Sequence, residues 1–195
     1  MKGGDGIDSA LIVSHSVKGN AYFIDVLRAF SCAKIVTVPS CAEARQTLMD
    51  QFYDIILING PLPDETGEEL AKDIAFKGSC QVIFIVNTDY YEEMSAAVEE
   101  FGVITVAKPI NRAMFWAALK LAKAAHFKLK QLQSQNTQLT QKIEDIRIVN
   151  RAKCLLISYL NLNENEAHKY IEKQAMDLRL TKRMVAERIL KKYER

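Results

Sequence analysis

A chain of 195 residues is long enough for one sizeable domain and a smaller second one. Hydrophobic residues make up 49% of it and charged residues 26%, which excludes an intrinsically disordered polymer. No apolar run reaches the roughly 20 residues of a membrane-spanning helix, and the first residues lack an apolar signal-peptide core. The four cysteines are scattered without a C-x-x-C pair, which argues against a disulfide framework or zinc site. We therefore expect a cytoplasmic protein with no membrane partner.

The formal net charge of +2 conceals two oppositely charged parts. Residues 1–120 contain 10 Lys/Arg and 16 Asp/Glu, so their net charge is −6. Residues 121–195 contain 16 Lys/Arg and 8 Asp/Glu, which gives +8. An acidic part joined to a basic part is common in nucleic-acid-binding proteins, although a solvated Lys-rich helical surface has the same composition. On charge alone both interpretations stay open.

Five short apolar runs, mostly of β-branched residues, alternate with amphipathic segments in the first 120 residues. Such near-continuous runs are typical of strands covered on both faces, and therefore of a parallel sheet. We predict strands at residues 10–13, 35–38, 55–58, 82–86 and 103–106, and helices at about 17–30, 40–51, 66–76, 90–101 and from 110 onward. Ser40 can cap the second helix, and Thr66 with Glu69 can form a capping box for the third. Five βα units predict a doubly wound α/β domain.

The functional site of a doubly wound domain lies at the carboxyl ends of its strands. The segment NGPLPDETG, from Asn59 to Gly67, follows the third strand, and Lys108 with a proline follows the fifth. With these motifs, residues 8–120 resemble the receiver domain of two-component response regulators, which implies a flavodoxin-like five-stranded sheet. Receivers have proline four residues and glycine eight residues after the phosphoacceptor aspartate. Pro63 and Gly67 fit that spacing, but Asn59 stands in place of the aspartate.

Other positions of this resemblance have also changed. Ser14 and His15 replace the acidic pair that holds Mg²⁺, Val86 replaces the Ser/Thr that closes onto the phosphoryl group, and only Lys108 is retained. An aspartyl phosphate needs an ionised carboxylate as nucleophile and oxygen ligands for Mg²⁺. We therefore predict a degenerate receiver that is not phosphorylated at the usual site, with no cofactor or metal. Lys108 should instead hydrogen-bond Asn59 or carbonyl groups at strand ends.

From residue 118 the apolar spacing changes to a heptad repeat that begins with Ala118 and Ala122. Four to five heptads without proline or glycine predict one long coiled-coil helix over residues 118–150. Its apolar seam cannot be buried in an isolated helix, so we expect a parallel homodimer in which an asparagine fixes the register. Packing of the seam onto the chain's own C-terminal helices is the alternative. The seam residues are Leu129, Leu132, Asn136, Leu139, Ile143 and Ile146.

Residues 147–195 read as three helical pieces. The first is broken at residues 161–163, Asn163 and Glu166 have N-cap spacing for the second, and Thr181 can cap a third from 182 to about 193. Apolar residues at helical spacing should form a miniature core, with Met176 as a filler. Those core positions are Ala167, Tyr170, Ile171, Ala175, Val185, Ala186 and Ile189.

This basic segment is similar to the ANTAR domain, a family of RNA-binding antitermination modules appended to response regulators. The residues that carry the likeness are Arg151, Ala152, Lys153, Glu166, Ala167, Ile171, Gln174, Ala175, Met176, Asp177, Arg179, Val185, Ala186 and Ile189. The resemblance implies binding to paired stem-loops of nascent RNA, which prevents a terminator hairpin from forming. Arg and Lys supply phosphate contacts, and Arg also stacks on splayed bases. Our candidates for RNA binding are Arg151, Lys153, Lys173, Arg179, Lys182, Arg183 and Arg188.

Two further interpretations remain open at this point. The last two helices could form a DNA-binding helix-turn-helix, although their connections lack the glycine turn which that motif often uses. The chain could also be a non-catalytic adaptor that binds other proteins through both domains. We find no Gly-rich phosphate loop, carboxylate pair or nucleophile–base set in the C-terminal segment, so we expect neither enzymatic activity nor a small-molecule substrate.

Overall fold

The computed structural model describes residues 7–78 and 80–193. The chain divides into two compact units, Met1–Lys130 and Gln131–Arg195. The last two positions of the basic segment, 194 and 195, lie outside the described residues. Within the described ranges, no helix combines the length and the apolarity that a membrane span requires.

The N-terminal unit is a doubly wound α/β domain, as the sequence predicts. All strand pairings are parallel, and the sheet order is β2-β1-β3-β4-β5. The strands are β1 (Ser9–Val13), β2 (Lys34–Val38), β3 (Ile55–Asn59), β4 (Gln81–Asn87) and β5 (Ile104–Lys108). The helices are α1 (Val17–Ala29), α2 (Cys41–Asp50), α3 (Glu68–Phe76), α4 (Tyr91–Val98) and the first part of α5 (Arg112–Leu160).

The central strand β3 shows why the apolar runs are continuous. Ile56 and Ile58 belong to one core cluster, while Ile55 and Leu57 belong to the cluster on the opposite face of the sheet. Successive side chains of a strand point to opposite faces, and helices cover both faces here. A strand in this position therefore needs apolar residues at every site. It ends at Asn59, at the edge of the sheet formed by the carboxyl ends of the parallel strands.

The helix starts confirm one predicted cap and contradict another. The Ser40 hydroxyl accepts a hydrogen bond from the Glu43 amide at 3.2 Å, as expected. The capping box of Thr66 is wrong, because α3 starts after Gly67, which has φ +95° and no side-chain cap. A Cβ at Gly67 would lie 2.9 Å from Ile58 Cγ2 and 3.1 Å from Phe84 Cε2. Close approach of this loop to the sheet therefore decides where the helix begins.

Helix α5 begins before the predicted coiled coil and continues beyond it. In the N-terminal unit, Ala118 and Ala122 are buried with Phe115 and Leu119 in the core against the sheet. The prediction that the seam begins with Ala118 and Ala122 is therefore wrong. Their small side chains instead let α5 pack against the sheet of the α/β domain. His126 continues this contact, since its Nε2 lies 3.2 Å from Asp54 Oδ1.

The C-terminal unit contains the rest of α5, together with α6 (Glu164–Leu178) and α7 (Lys182–Tyr193). The capping box at Asn163 is confirmed by reciprocal hydrogen bonds of 2.9 and 2.8 Å with Glu166. Thr181 caps α7 through a 3.2 Å hydrogen bond from the Met184 amide. The buried core consists of Ala152, Leu156, Ala167, Ile171, Val185, Ala186 and Ile189.

Two predicted members of this miniature core are wrong. Tyr170 is exposed, and Met176 is exposed over 78% of its surface. Met176 lies five residues after the buried Ile171, which turns it about 140° around the helix axis and away from the core. Ala152 and Leu156 of α5 take their place in the core.

Candidate functional site

The carboxyl ends of three strands bring most of the degenerate receiver positions together. The Asn59 amide, at the end of β3, donates a hydrogen bond to the Ser14 hydroxyl after β1 at 2.9 Å. Lys108, at the end of β5, donates through Nζ to the carbonyl of Gly60. The lysine therefore bonds to a strand-end carbonyl, one of the two partners that its position predicts, and burial lowers its pKa.

Asn59 and Lys108 line a cleft of about 570 Å³ together with His15 and residues of α1. The sequence reasoning missed Lys18 and Tyr22, although both lie in the first two turns of α1, the helix that follows Ser14. None of the described residues lining the cleft carries a carboxylate. This donor set does not suit Mg²⁺, which prefers several oxygen ligands including carboxylates.

Val86 does not join this cleft. Its side chain is buried in the core on one face of the sheet and lines a separate pocket of about 250 Å³ with Phe84 and Met94. The nearby hydroxyl of Thr88 donates instead to the carbonyl of Lys108. Val86 therefore presents two apolar methyl groups at the position where receivers have a hydroxyl that contacts the phosphoryl group.

One other cluster has the composition of a metal site, formed by Cys41, Asp64 and Glu65. Asp64 already accepts hydrogen bonds from the amides of Cys41 and Ala42, at the start of α2. Glu65 forms a bidentate ion pair with Arg45. Burial raises the pKa of Cys41 to about 12, so its thiol stays protonated, and the thiolate is the form that binds metals. These groups serve to anchor a loop to α2.

Three of the predicted RNA-binding residues join helices within the C-terminal unit. Each ion pair spans a different pair of helices, so together the three pairs connect α5, α6 and α7. All three basic residues line one cleft of about 350 Å³. The pairs are Lys153 with Glu164 at 3.2 Å, Lys182 with Glu172 at 2.5 Å and Arg183 with Asp145 at 2.7 Å.

The other predicted RNA-binding residues are exposed. Within the described part of the chain, the side chains of Lys173, Arg179 and Arg188 form no ion pair or hydrogen bond. Arg179 ends α6 in the left-handed region at φ +52°, where its amide bonds to the carbonyl of Met176. Arg151 is exposed on α5.

The sequence reasoning missed Lys169, which lies one helical turn before Lys173. Both lysines and Met176 follow one stripe along α6, because residues three and four apart share a helix face. Ala167 and Ile171 lie on the opposite, buried face of the same helix. Helical periodicity alone is enough to find this basic stripe, which we call the α6 basic face (Lys169, Lys173 and Met176).

The predicted seam of α5 is exposed along the C-terminal unit. Leu139, Ile143 and Ile146 are more than half exposed, with Ile143 at 54% and Ile146 at 60%. A different face of α5, which carries Ala152 and Leu156, packs on α6 and α7. The alternative that the seam packs onto the chain's own C-terminal helices is therefore wrong for these residues.

Comparison with known proteins decides the family of the C-terminal unit. The ANTAR domain model matches residues 137–190. The chain therefore carries an ANTAR domain in its C-terminal unit and a receiver fold in its N-terminal unit. It is 26% identical over 137 residues to the transcriptional regulatory protein PdtaR of Mycobacterium tuberculosis, an overlap that covers 70% of this chain and 67% of PdtaR.

Solved structures support the receiver fold of the N-terminal unit. Response regulator StyR superimposes with a TM-score of 0.65 at 13% identity, over 96% of this chain and all of StyR. A receiver domain of an HD domain-containing protein from Pseudomonas fluorescens Pf-5 gives a TM-score of 0.57 at 16% identity, covering 64% and 93% of the two chains. A CheY-like receiver from Methanospirillum hungatei JF-1 gives 0.56 at 18%, covering 63% and 98%. At these identities the likeness shows the fold alone.

Proposed function

We propose that this chain is a non-catalytic regulator that binds RNA hairpins as a homodimer and thereby controls transcription termination. The observation that carries the proposal is the ANTAR match over residues 137–190, whose helices present exposed basic side chains. Nucleic-acid phosphates attract such side chains through charge, and Arg adds stacking and bidentate hydrogen bonds to bases.

The proposed contacts fall into two classes. Lys173, Arg179 and Arg188 are exposed and have no described acidic partner, so RNA can bind them without breaking an existing ion pair. Lys153 and Lys182 already contact Glu164 and Glu172, and a phosphate would have to replace those carboxylates. We therefore propose that the first class supplies most of the RNA affinity.

Arg179 is a favourable anchor because its backbone is fixed. Its amide and that of Leu180 donate to the carbonyls of Met176 and Ala175 at 3.2 and 3.0 Å, which closes the end of α6. The side chain therefore starts from an ordered position and loses less conformational entropy when it binds than one on a flexible loop.

Removing the exposed charges tests this interface. We expect the double variant Lys173→Ala, Arg179→Ala to bind a two-hairpin RNA about a hundredfold more weakly or worse, because it loses two charge-assisted hydrogen bonds that each contribute about 1.5–3 kcal/mol. Electrophoretic mobility shift over a salt series measures the affinity, and the salt dependence should become shallower. The matched control is Lys120→Ala, Lys128→Ala, which removes two exposed lysines from the N-terminal unit.

Equal affinity in the two double variants would remove the α6 basic face and Arg179 from the interface. The same assay tests the RNA preference, because duplex DNA is added as a competitor. If duplex DNA competes as well as looped RNA, the helix-turn-helix interpretation replaces this one.

We further propose that the receiver is not switched by phosphorylation at Asn59. A carboxamide is not an ionised nucleophile, and the cleft offers no carboxylate ligand for Mg²⁺. Incubation with acetyl phosphate and Mg²⁺ should leave the intact mass of the chain unchanged, under conditions that fully phosphorylate an ordinary receiver. A stoichiometric gain of one phosphoryl group that disappears in Asn59→Ala would contradict this.

A further inference from the structure

The cleft beside Asn59 has an unusual charge for a site at the carboxyl ends of receiver strands. Lys18, Lys108 and His15 line it, and its described lining includes no acidic side chain. Its other polar lining groups include Ser16 and the Asn59 amide, which are neutral. The positions that resemble a Mg²⁺ site in receivers thus form a neutral-to-positive surface, which attracts anions and repels divalent cations.

The N-terminus of α1 adds to this positive potential. The helix has 13 residues, starts after the Ser16 cap and has no acidic residue in its first turn. Helix N-termini carry partial positive charge and favour anions. Gly19 brings the first turn close to the cleft wall, since a Cβ there would lie 3.3 Å from Asn59 Nδ2.

A buried amide in the wall of the cleft has an unused hydrogen-bonding atom. Asn59 is only 6% exposed, and its Oδ1 has no hydrogen-bond partner although its Nδ2 donates to Ser14. The NH₂ group of Asn59 has a second hydrogen that Ser14 does not use, so it can donate to a ligand in the cleft that Asn59 lines.

We propose that this cleft binds a small oxyanion, a carboxylate or a phosphate, directly and without a divalent metal. Lys108 and Lys18 neutralise the anion, and the Asn59 amide and the start of α1 add polar contacts. No covalent bond forms. The proposal concerns the N-terminal unit alone, so it stands or falls independently of RNA binding.

Burial adds support for Lys108 as an anion ligand. Burial lowers its pKa because a charged ammonium loses hydration, and Nζ already donates to the carbonyl of Gly60. An ammonium has three donors, so it can contact an anion and keep this hydrogen bond. A bound anion would compensate the charge that the cleft leaves without a counterion.

Calorimetric titration of the full chain tests the proposal, with EDTA present and ionic strength held constant. The probes are inorganic phosphate and succinate, and their relative affinities distinguish a phosphate from a carboxylate ligand. We expect saturable binding of at least one probe. Lys108→Gln and Lys18→Gln should each weaken it about tenfold, since each removes a charge-assisted contact. Asn59→Asp should weaken it at least as much through like-charge repulsion.

Lys120→Gln is the matched control, because it removes an exposed lysine of the same unit away from the cleft, and it should change affinity less than twofold. Thermal unfolding without ligand checks that each variant is folded. If Lys108→Gln unfolds, the exposed Lys18 decides the outcome. The proposal fails if neither probe saturates, if binding requires Mg²⁺, or if Lys18→Gln binds as tightly as Lys120→Gln.

Discussion

Replacing Leu156 with alanine is expected to unfold the C-terminal unit and abolish RNA binding, while the N-terminal unit stays folded. Leu156 is completely buried in a core that has seven buried residues in the described part of the C-terminal unit. Truncating a buried leucine costs about 2–5 kcal/mol, since the transfer energy is lost and a cavity remains. A core of this size supplies about 3–5 kcal/mol in total, so little or no stability would be left.

Heteronuclear NMR measures this effect unit by unit. Amide signals of residues in α6 and α7 should collapse towards the dispersion of an unfolded chain, and those of the α/β domain should keep their positions. Leu178→Ala is the matched control, because Leu178 lies on α6 but is about half exposed. A Leu156→Ala variant with protected amides in α6 and undiminished RNA affinity would show that the core is more tolerant than its burial indicates.

The second large effect concerns the seam of α5. We propose that this seam dimerises the chain, and introducing Ile143→Lys with Ile146→Lys should make the protein monomeric at tens of micromolar. Ammonium groups opposite each other in an apolar interface would have to be buried without partners, which costs several kcal/mol. Sedimentation equilibrium measures the change. Ser134→Lys with Gln138→Lys adds the same charge on the opposite face of the helix and should leave the dimer intact.

The same variants separate dimerisation from RNA contact. A dimer that holds two hairpins of one RNA gains effective concentration, which typically adds a factor of about 10²–10⁴ in affinity. The seam variant should therefore lose most of its affinity for a two-hairpin RNA and keep its affinity for one hairpin. A wild-type protein that sediments as a monomer at tens of micromolar would refute the dimer.

Much of the fold follows from local pattern. The runs from 55 to 58 and from 82 to 86 predict buried strands because every residue in them is apolar, and β3 and β4 form there. The start of α3 could not be predicted in this way. Thr66 has good capping chemistry, but the approach of Gly67 to Phe84 joins residues far apart in sequence and overrides it.

The start of the coiled coil was predicted wrongly for a related reason. Ala118 and Ala122 fit a heptad repeat and equally fit one face of an ordinary helix, because the two periods differ little over two turns. Only the contact of α5 with the sheet distinguishes them, and that contact is tertiary. From Leu132 onward the apolar seam residues are exposed, and the dimer that they predict stays a prediction.

For the candidate RNA-binding site, the sequence predicts which residues are basic but not which acidic residues they pair with. The sequence identifies Lys153, Lys182 and Arg183 as basic residues of the C-terminal segment. It does not reveal that acidic residues 10 to 38 positions away pair with them across helices. The error at Met176 was avoidable. It was predicted to fill the core, although its position in the helical period relative to Ile171 indicates an exposed side chain.

The three inter-helix ion pairs reduce the number of basic side chains that can bind a polyanion. Displacing counterions from RNA is driven by cations that are free to take their place, and a lysine committed to a neighbouring glutamate contributes little to that exchange. The 16 Lys/Arg of residues 121–195 therefore overstate the number of cations that are available to RNA, because at least three of them are paired with acidic residues. Some of its basic side chains connect helices through ion pairs, and in the proposed function the remaining ones supply the attraction to RNA.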